Sequence, residues 1–279
     1  MPDNNKKFEL IIKPQKGWFD LNLRELWLYR ELAFIFAWRD IKVRYKQTAL
    51  GIAWAILQPV LTVAIFSFFF GRLAKIPSDG IPYPIFAFVG IVFWNYFSIS
   101  LTGASNTIIE NENIIKKVYF PRLILPISST LTPLIDLGIS LVVLIVFMLY
   151  YHMLPMLTGV LFLPLLFIIS FLASSGLGLF LASINLKYRD VRYALPFFIQ
   201  LLMYVTPVIY PSSLVGEKYR WIIALNPMTG VIETARSSFL GVTPINFQLL
   251  FISIGISIVL FLFGVFKFKK TERFFADLA

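Results

Sequence analysis

Charge is scarce in this chain. Asp, Glu, Lys and Arg make up 14% of its 279 residues, against roughly a quarter in a soluble domain, so much of its surface faces something other than water. Cysteine is absent, which excludes disulfides, thiolate metal sites and thiol catalysis and leaves the redox compartment open. A single histidine, His152, is too little for a His-rich metal site. No G-x-x-x-x-G-K-[ST] phosphate loop occurs, so the chain cannot cradle ATP phosphates by that route. G-x-S-x-G and H-E-x-x-H are missing as well, and no acidic pair at metal-ligand spacing sits near an apolar run. Ion-coupled carriers place several ionisable groups at mid-membrane depth; the apolar runs here hold one, Asp136. Neither an enzyme's catalytic set nor an ion relay is present, so uphill transport would draw its energy from a partner.

What is present is apolar: 58% of residues are hydrophobic and 17% aromatic. A helix crossing the hydrocarbon core needs about 20 mostly apolar residues. The uncharged stretch from Gly51 to Gly71 is one such run, with Arg72 and Lys75 beyond it. A second lies between Asp79 and Glu110, its core near 84–105. From Arg122 to Lys187 the sole formal charge is Asp136, which leaves room for two helices joined by a turn at His152-Met153-Leu154-Pro155. Further spans are expected from about Tyr193 to Tyr210 and from Phe247 to Phe266. The fold class is therefore all-α integral membrane, with six transmembrane helices. Spans this closely spaced leave no separate soluble domain. The chain divides into a segment 1–50, a transmembrane domain 51–266 and a tail 267–279.

The net charge of +10 does not point to nucleic acid, because the basic residues lie in short segments between apolar runs. Twenty of the 25 Lys and Arg fall in residues 1–50, 106–122, 185–193 and the tail after Phe266. The opposite face holds Arg72, Lys75, Lys218, Arg220 and Arg236. The positive-inside bias makes the richer face cytoplasmic, with both termini on it. Residues 1–20 hold several charges and no apolar core of a signal peptide, so the first span would also be the topogenic signal.

Two segments do not fit a plain bundle. Residues 21–46 mix Trp27, Phe34, Phe36 and Trp38 with Arg24, Arg30, Arg39 and Lys42, while Leu21, Leu28, Leu32 and Ile35 share one helical face. This reads as an amphipathic helix lying in the cytoplasmic interface, where aromatic rings, basic stems and membrane lipids meet. Residues 211–246 are too apolar for a free external loop. Asn226-Pro227 opens a helix there as N-cap and first-turn proline, so this segment is expected to form re-entrant helices before the last span.

Several short strings, in order, resemble the ABC-2-type permeases that export polysaccharides, such as O antigen, capsule and teichoic acid permeases. They are Trp38-Arg39-Asp40-Ile41-Lys42-Val43-Arg44-Tyr45-Lys46-Gln47-Thr48 running through Leu50-Gly51 to Trp54 and Gln58-Pro59, then Tyr119-Phe120-Pro121-Arg122 with Leu125-Pro126, Leu186-Lys187-Tyr188-Arg189-Asp190-Val191, and Asn226-Pro227-Met228-Thr229. The resemblance covers nearly the whole chain. It implies a homodimeric channel in a bacterial inner membrane, bound on its cytoplasmic side by two nucleotide-binding ATPase subunits that carry the ATP and Mg. It also implies export of a glycan on a polyprenyl diphosphate lipid, a coupling helix between spans two and three, and a pore lined by spans one and five.

These implications give roles to particular residues, each with a plainer alternative. In the loop 106–122, Ile108, Ile109, Ile114, Ile115 and Val118 alternate with Glu110, Glu112, Lys116, Lys117 and Arg122. A merely solvated, topology-setting loop would waste five β-branched apolar residues, so a short helix gripping a groove of the ATPase is favoured. Arg189 and Asp190, with Tyr188 and Arg192, form a second contact or simply enforce topology. Arg39, Lys42, Arg44 and Lys46 could receive the lipid diphosphate, or attract anionic headgroups at about 1 kcal/mol each. Ser129, Thr132, Asp136 and Ser140 make one polar stripe. A charged Asp at the bilayer centre costs about 2.5–3.5 kcal/mol, so Asp136 faces protein or water, either bonding between helices or lining the path. Ser170, Ser174, Gly178 and Ala182 form a packing row. Phe66, Phe68, Phe69, Phe70, Tyr83, Phe86, Phe88, Phe93 and Trp94 are mostly belt residues. On spans one and five, Trp54, Gln58, Thr62, Phe66, Gln200 and Tyr204 are the pore-lining candidates. An ABC-2 permease for a small drug or lipid, and a membrane-embedded glycosyl or phosphosugar transferase, are the alternatives.

Overall fold

A computed structural model describes residues 23–46, 51–188 and 190–272. Among them regular structure is entirely helical. Helices α1 (Leu23–Leu28) and α2 (Arg30–Lys46) precede α3 (Ile52–Phe66), which continues as a π-helix over Ser67–Leu73. Next come α4 (Tyr83–Glu110), the short α5 (Glu112–Ile115), α6 (Ile124–Leu131), α7 (Leu134–Tyr150), α8 (Leu157–Asn185) and α9 (Val191–Val205). The chain then forms α10 (Glu217–Ala224), α11 (Pro227–Leu240) and α12 (Phe247–Glu272). Five stretches are long and apolar enough to cross a membrane: Ile52–Leu73, Tyr83–Glu110, Ile124–Tyr150, Leu157–Asn185 and Phe247–Glu272. The expected sixth, α9, has 15 residues and rises only about 22 Å at 1.5 Å per residue, short of a hydrocarbon core of about 30 Å.

Local chemistry explains several boundaries. The chain turns at His152, where the ring-bearing residue takes a left-handed φ of 58°. His152 N–H donates to Leu149 O at 3.0 Å and Met153 N–H to Met148 O at 2.8 Å, the paired bonds of a Schellman cap. Asn226 caps α11 as its sequence implies, Oδ1 accepting from Met228 N at 3.0 Å with Pro227 in the first turn. Gly241 closes that helix at φ 66°. Span three breaks at Thr132-Pro133, between α6 and α7, because proline brings no N–H to the ladder.

Helix α4 is the axis of the body. Of its most apolar stretch 78% is buried, against 11% for span one. This corrects the belt reading of its aromatics: Phe86, Phe88, Phe93 and Trp94 are core residues, packed with Met148, Leu166, Ile169 and Val231, because α3, α7, α8, α9 and α11 surround α4. Phe68 and Phe69 of span one remain exposed. The row Ser170, Ser174, Gly178 and Ala182 is buried, and a Cβ on Gly178 would overlap Ala104 of α4. On the neighbouring face, a Cβ on Gly176 would lie 2.5 Å from Phe261 N, and one on Gly264 would strike the Gly176 carbonyl. Spans four and six therefore meet backbone to backbone, as small residues permit in a bilayer.

The N-terminal helix departs from its expected geometry. It is two helices rather than one, and Leu28 and Ile35 point outward. Leu26, Tyr29, Leu32, Ala33 and Phe36 pack instead against Ile108, Ile115, Phe120, Leu123 and Phe268. Trp27, Phe34 and Trp38 are exposed. The packed stripe keeps the helical period of 3.6 but runs through Leu26, Tyr29, Leu32, Ala33 and Phe36, on the side that meets the loop after α4, and leaves most of the aromatic rings outside. Leu21 lies outside the described residues.

Candidate functional site

One end of the bundle gathers the basic segments. The loop after α4 is clamped between α2 and the end of α12. Phe36 packs on Phe120 with ring centroids 5.6 Å apart. Arg39 Nη1 donates to Asn111 Oδ1 at 2.9 Å, while Asn111 Nδ2 donates to Thr107 O at 2.8 Å. On the far side, Arg122 N–H donates to the Glu272 carboxylate at 3.3 Å and its guanidinium to the Glu272 carbonyl.

This clamp redistributes the coupling candidates. Ile115 is buried, and Ile109 and Ile114 are half-buried, because Ile114 and Ile115 fill the core at this end of the bundle with Phe36 and Phe120. Ile108 is buried there too, so Val118 is the one of the five β-branched residues left exposed. The outward face is Lys116, Lys117, Val118 and Tyr119, the last two each 57% exposed. Asp190 and Tyr188 are exposed, with Lys187 Nζ 5.2 Å from the Tyr188 ring centre. Arg189 lies outside the described residues.

A second site lies above α2. A cavity of about 600 Å³ opens between α3, α4 and α7, with Arg44 and Tyr45 at its rim and Trp54, Gln58, Asn95 and Asp136 in its walls. Arg44 Nη1 pairs with Asp136 Oδ2 at 2.5 Å, and the Tyr45 hydroxyl donates to Asp136 Oδ1. Burial, then the Asp136 carboxylate, push the Tyr45 phenol upward from its usual value, so it stays a donor. Asp136, midway along the stretch Ile124–Tyr150, is thus reached from the end of α2 by Arg44 and Tyr45, and its charge is matched. The polar stripe divides at the Pro133 break. Ser129 and Thr132 turn back on their own helix, donating to Pro126 O at 2.9 Å and Ser128 O at 3.2 Å. Asp136 and Ser140 line the cavity.

The basic quartet divides likewise. Arg39 pairs with Asp40 at 2.7 Å and Arg44 with Asp136, whereas Lys42 lies 5.5 Å from the Trp38 ring centre and Lys46 is exposed. Among the pore candidates, Trp54 and Gln58 share the cavity with Asp136. Thr62 is half-buried and donates to Gln58 O at 2.8 Å, and Phe66 packs edge-on against Phe70. Gln200 and Tyr204 are exposed on α9, apart from that cavity. What the two helices share is bareness: α9 buries Leu195 and Ile199, α3 buries Pro59 and Val63.

The residue that sequence reasoning passed over is Arg236. Counted there as an external charge, it is 3% exposed. Its guanidinium donates to Pro207 O and Val208 O at 2.6 Å each and to Phe86 O at 3.2 Å, reaches Glu233 Oε1 at 3.2 Å, and lies 3.5 Å from the Phe86 ring centre. It fastens α11 to the head of α4 and supplies donors where α9 ends. The Glu233/Arg236 spacing of three was the available signal.

Sequence similarity to known proteins runs along most of the chain. Similarity reaches 31% identity over 248 residues with the O-antigen export system permease protein RfbA of Klebsiella pneumoniae, covering 89% of this chain and 95% of that protein. The RfbA permease of Myxococcus xanthus is 31% identical over 220 residues, 78% of this chain and 83% of its own. The polysialic acid transport protein KpsM of Escherichia coli is 24% identical over 204 residues, 72% and 78% of the two chains. The profile of the ABC-2 type transporter family matches residues 31–240, from α2 through the bundle to the end of α11. The chain is a multi-pass membrane protein that belongs to the ABC-2 type transporter family.

Proposed function

We propose that this chain is the channel-forming subunit of an ATP-driven exporter, moving a lipid-linked polysaccharide outward across a bacterial inner membrane. The observation that carries the reading is the near full-length similarity to permeases named for O-antigen export. The geometry agrees with it. Spans one and five carry Trp54, Gln58, Gln200 and Tyr204 on faces the chain leaves uncovered, and a second copy laid against them would close a path with aromatic and amide walls. α9, with residues 206–210 beyond it, would complete six spans and keep both termini cytoplasmic.

The chain would bind no nucleotide; ATP and Mg would sit on two partner ATPase subunits docked at Lys116, Lys117, Val118 and Tyr119. Lys42 and Lys46 would be the cations free to meet a diphosphate headgroup, since Arg39 and Arg44 hold the chain's own acids. The test is co-expression with the ATPase subunit of a polysaccharide exporter from the same organism, in a strain that makes the lipid-linked glycan but lacks its exporter. Surface glycan is expected to return, and purified chain alone is expected to hydrolyse no ATP. Restored resistance to small drugs without surface glycan would favour the drug-permease alternative. Impermeant thiol reagents in spheroplasts are expected to label cysteines placed at Ser78 and Ser213 but not at Asn113; the reverse pattern would overturn the orientation.

A further inference from the structure

The external end holds a cavity that the channel reading does not use. It measures about 490 Å³ and lies between α10, α11, the head of α12 and the loop tips that carry Asp79 and Ser212. Its chemistry comes from Asp79, Arg220, Trp221, Glu233, Asn246 and Gln248. Two of these are held in place. Asp79 Oδ1 accepts from Ser213 Oγ at 3.0 Å. Glu233 Oε2 accepts from Ser212 Oγ at 2.9 Å, and Oε1 from Ser212 N–H at 3.4 Å and from Arg236 at 3.2 Å. A carboxylate accepts about four hydrogen bonds, so Glu233 keeps acceptor capacity toward the cavity. Asn246 is fixed as well, its Oδ1 capping α12 through Leu249 N–H at 3.0 Å, which leaves its amide N–H₂ to donate. Trp221, 62% exposed, offers a broad ring at the mouth.

The lining discriminates among ligand classes. A lipid tail needs apolar walls, and here carboxylates and amides are interleaved with the apolar side chains. A phosphate or other anion needs an excess of cations, whereas the lining sets Arg220, whose Nε donates to Val215 O at 3.1 Å, against the two carboxylates of Asp79 and Glu233. A bound metal ion needs several anionic or imidazole ligands together, and among the described residues no group of three or more His, Cys, Asp or Glu is clustered for one. Carboxylates that accept, amides and a guanidinium that donate, and an aromatic ring for an apolar face fit a neutral, hydroxyl-rich ring.

We infer that this cavity is a saccharide-binding subsite at the outer mouth, taking one or two neutral sugar units. The inference rests on the glycan-export reading for its biological setting, but its test does not. Purified complex with its ATPase, in nanodiscs, is titrated with oligosaccharides released by mild acid from the producing cell's own surface glycan, and with methyl glycosides of common hexoses. Saturation-transfer NMR reads the binding. Saturable binding is expected that is insensitive to salt, weakened about tenfold by Trp221→Ala and about fivefold by Gln248→Ala, as the loss of one stacking or hydrogen-bonding partner implies. Both positions are exposed, and a Trp221→Phe variant, which keeps a ring, should retain most of the affinity. Absence of saturable binding, or variants that bind like the wild type, would overturn the subsite. So would competition by inorganic phosphate or by short-chain fatty acid. Surface glycan measured in the same strains keeps the two readings apart: export without sugar binding rejects the subsite alone, and sugar binding without export rejects the transport reading alone.

Discussion

Replacing Arg236 by methionine preserves most of its volume and removes all of its donors. Three backbone oxygens, at Phe86, Pro207 and Val208, lose a bond in a place that is 3% exposed, and each buried group left unmet costs about 1–3 kcal/mol. Glu233 also loses its cation, although Ser212 still donates to it and its side chain is 20% exposed, so that contribution is discounted. Breaking a buried, hydrogen-bonded ion pair from one side costs about 3–5 kcal/mol, and the whole perturbation should fall in that range. At about 2–4 °C per kcal/mol, thermal unfolding of the detergent-solubilised protein should drop by roughly 10 °C. Arg236→Lys keeps the charge but loses the fork and should fall between. Glu233→Gln combined with Arg236→Met should lose less than the two single changes added together, because the pair is coupled. If Arg236→Met melts within about 2 °C of the wild type, the guanidinium is not what fastens α11 to α4.

Three further outcomes follow from the packing. Gly176→Leu should prevent spans four and six from closing, seen as protein that inserts but unfolds during detergent extraction, while Gly138→Leu, whose Cβ meets open space, should be extracted normally. Val118→Asp with Tyr119→Asp should leave the melting temperature unchanged and abolish co-purification with the ATPase, whereas Ile115→Asp should lower the melting temperature by burying a charge in the chain's own core; equal behaviour of the two would refute the assignment of the outward face. Asp136→Asn should leave Arg44 with a weaker partner and cost about 1–2 kcal/mol, given that the Arg44 side chain is 39% exposed, and Arg44→Gln in the same chain should recover part of that loss in a melting assay.

The sequence revealed what hydropathy and charge control: the membrane class, five of the six expected spans, the turn at His152 and the cap at Asn226. Each depends on a local rule, and the chain obeys it locally. It did not reveal which apolar residues face inward, because in a bundle that depends on how many neighbours a helix acquires. The aromatics of α4 are as rich as a lipid belt and are core only because five helices surround them. Ile115 could be read as a partner's anchor until α2 was seen to cover it. Arg236 was missed for the converse reason: a lone external arginine looks solvated until the carbonyls freed by the end of α9 are placed around it. The Arg44–Asp136 pair joins positions 92 apart, beyond the reach of any spacing rule.

The contact between Gly176 and Gly264 has a mechanical consequence. Two helices whose backbones touch have no side-chain layer between them to shear, and α4 is locked to the same pair through Gly178 and Ala104. These three spans behave as a stator. Along α3 and α9 there is no glycine-to-glycine contact of this kind: α3 continues into a π-helix and contains Pro59, α9 contains Pro196 and is pinned only beyond its end, where Arg236 holds Pro207 O and Val208 O, and both are thinly covered. In the export reading proposed above, a wide passage would be opened by swinging those two outer vanes against this body, and the bore would be set by how far they tilt rather than by any loosening of the core.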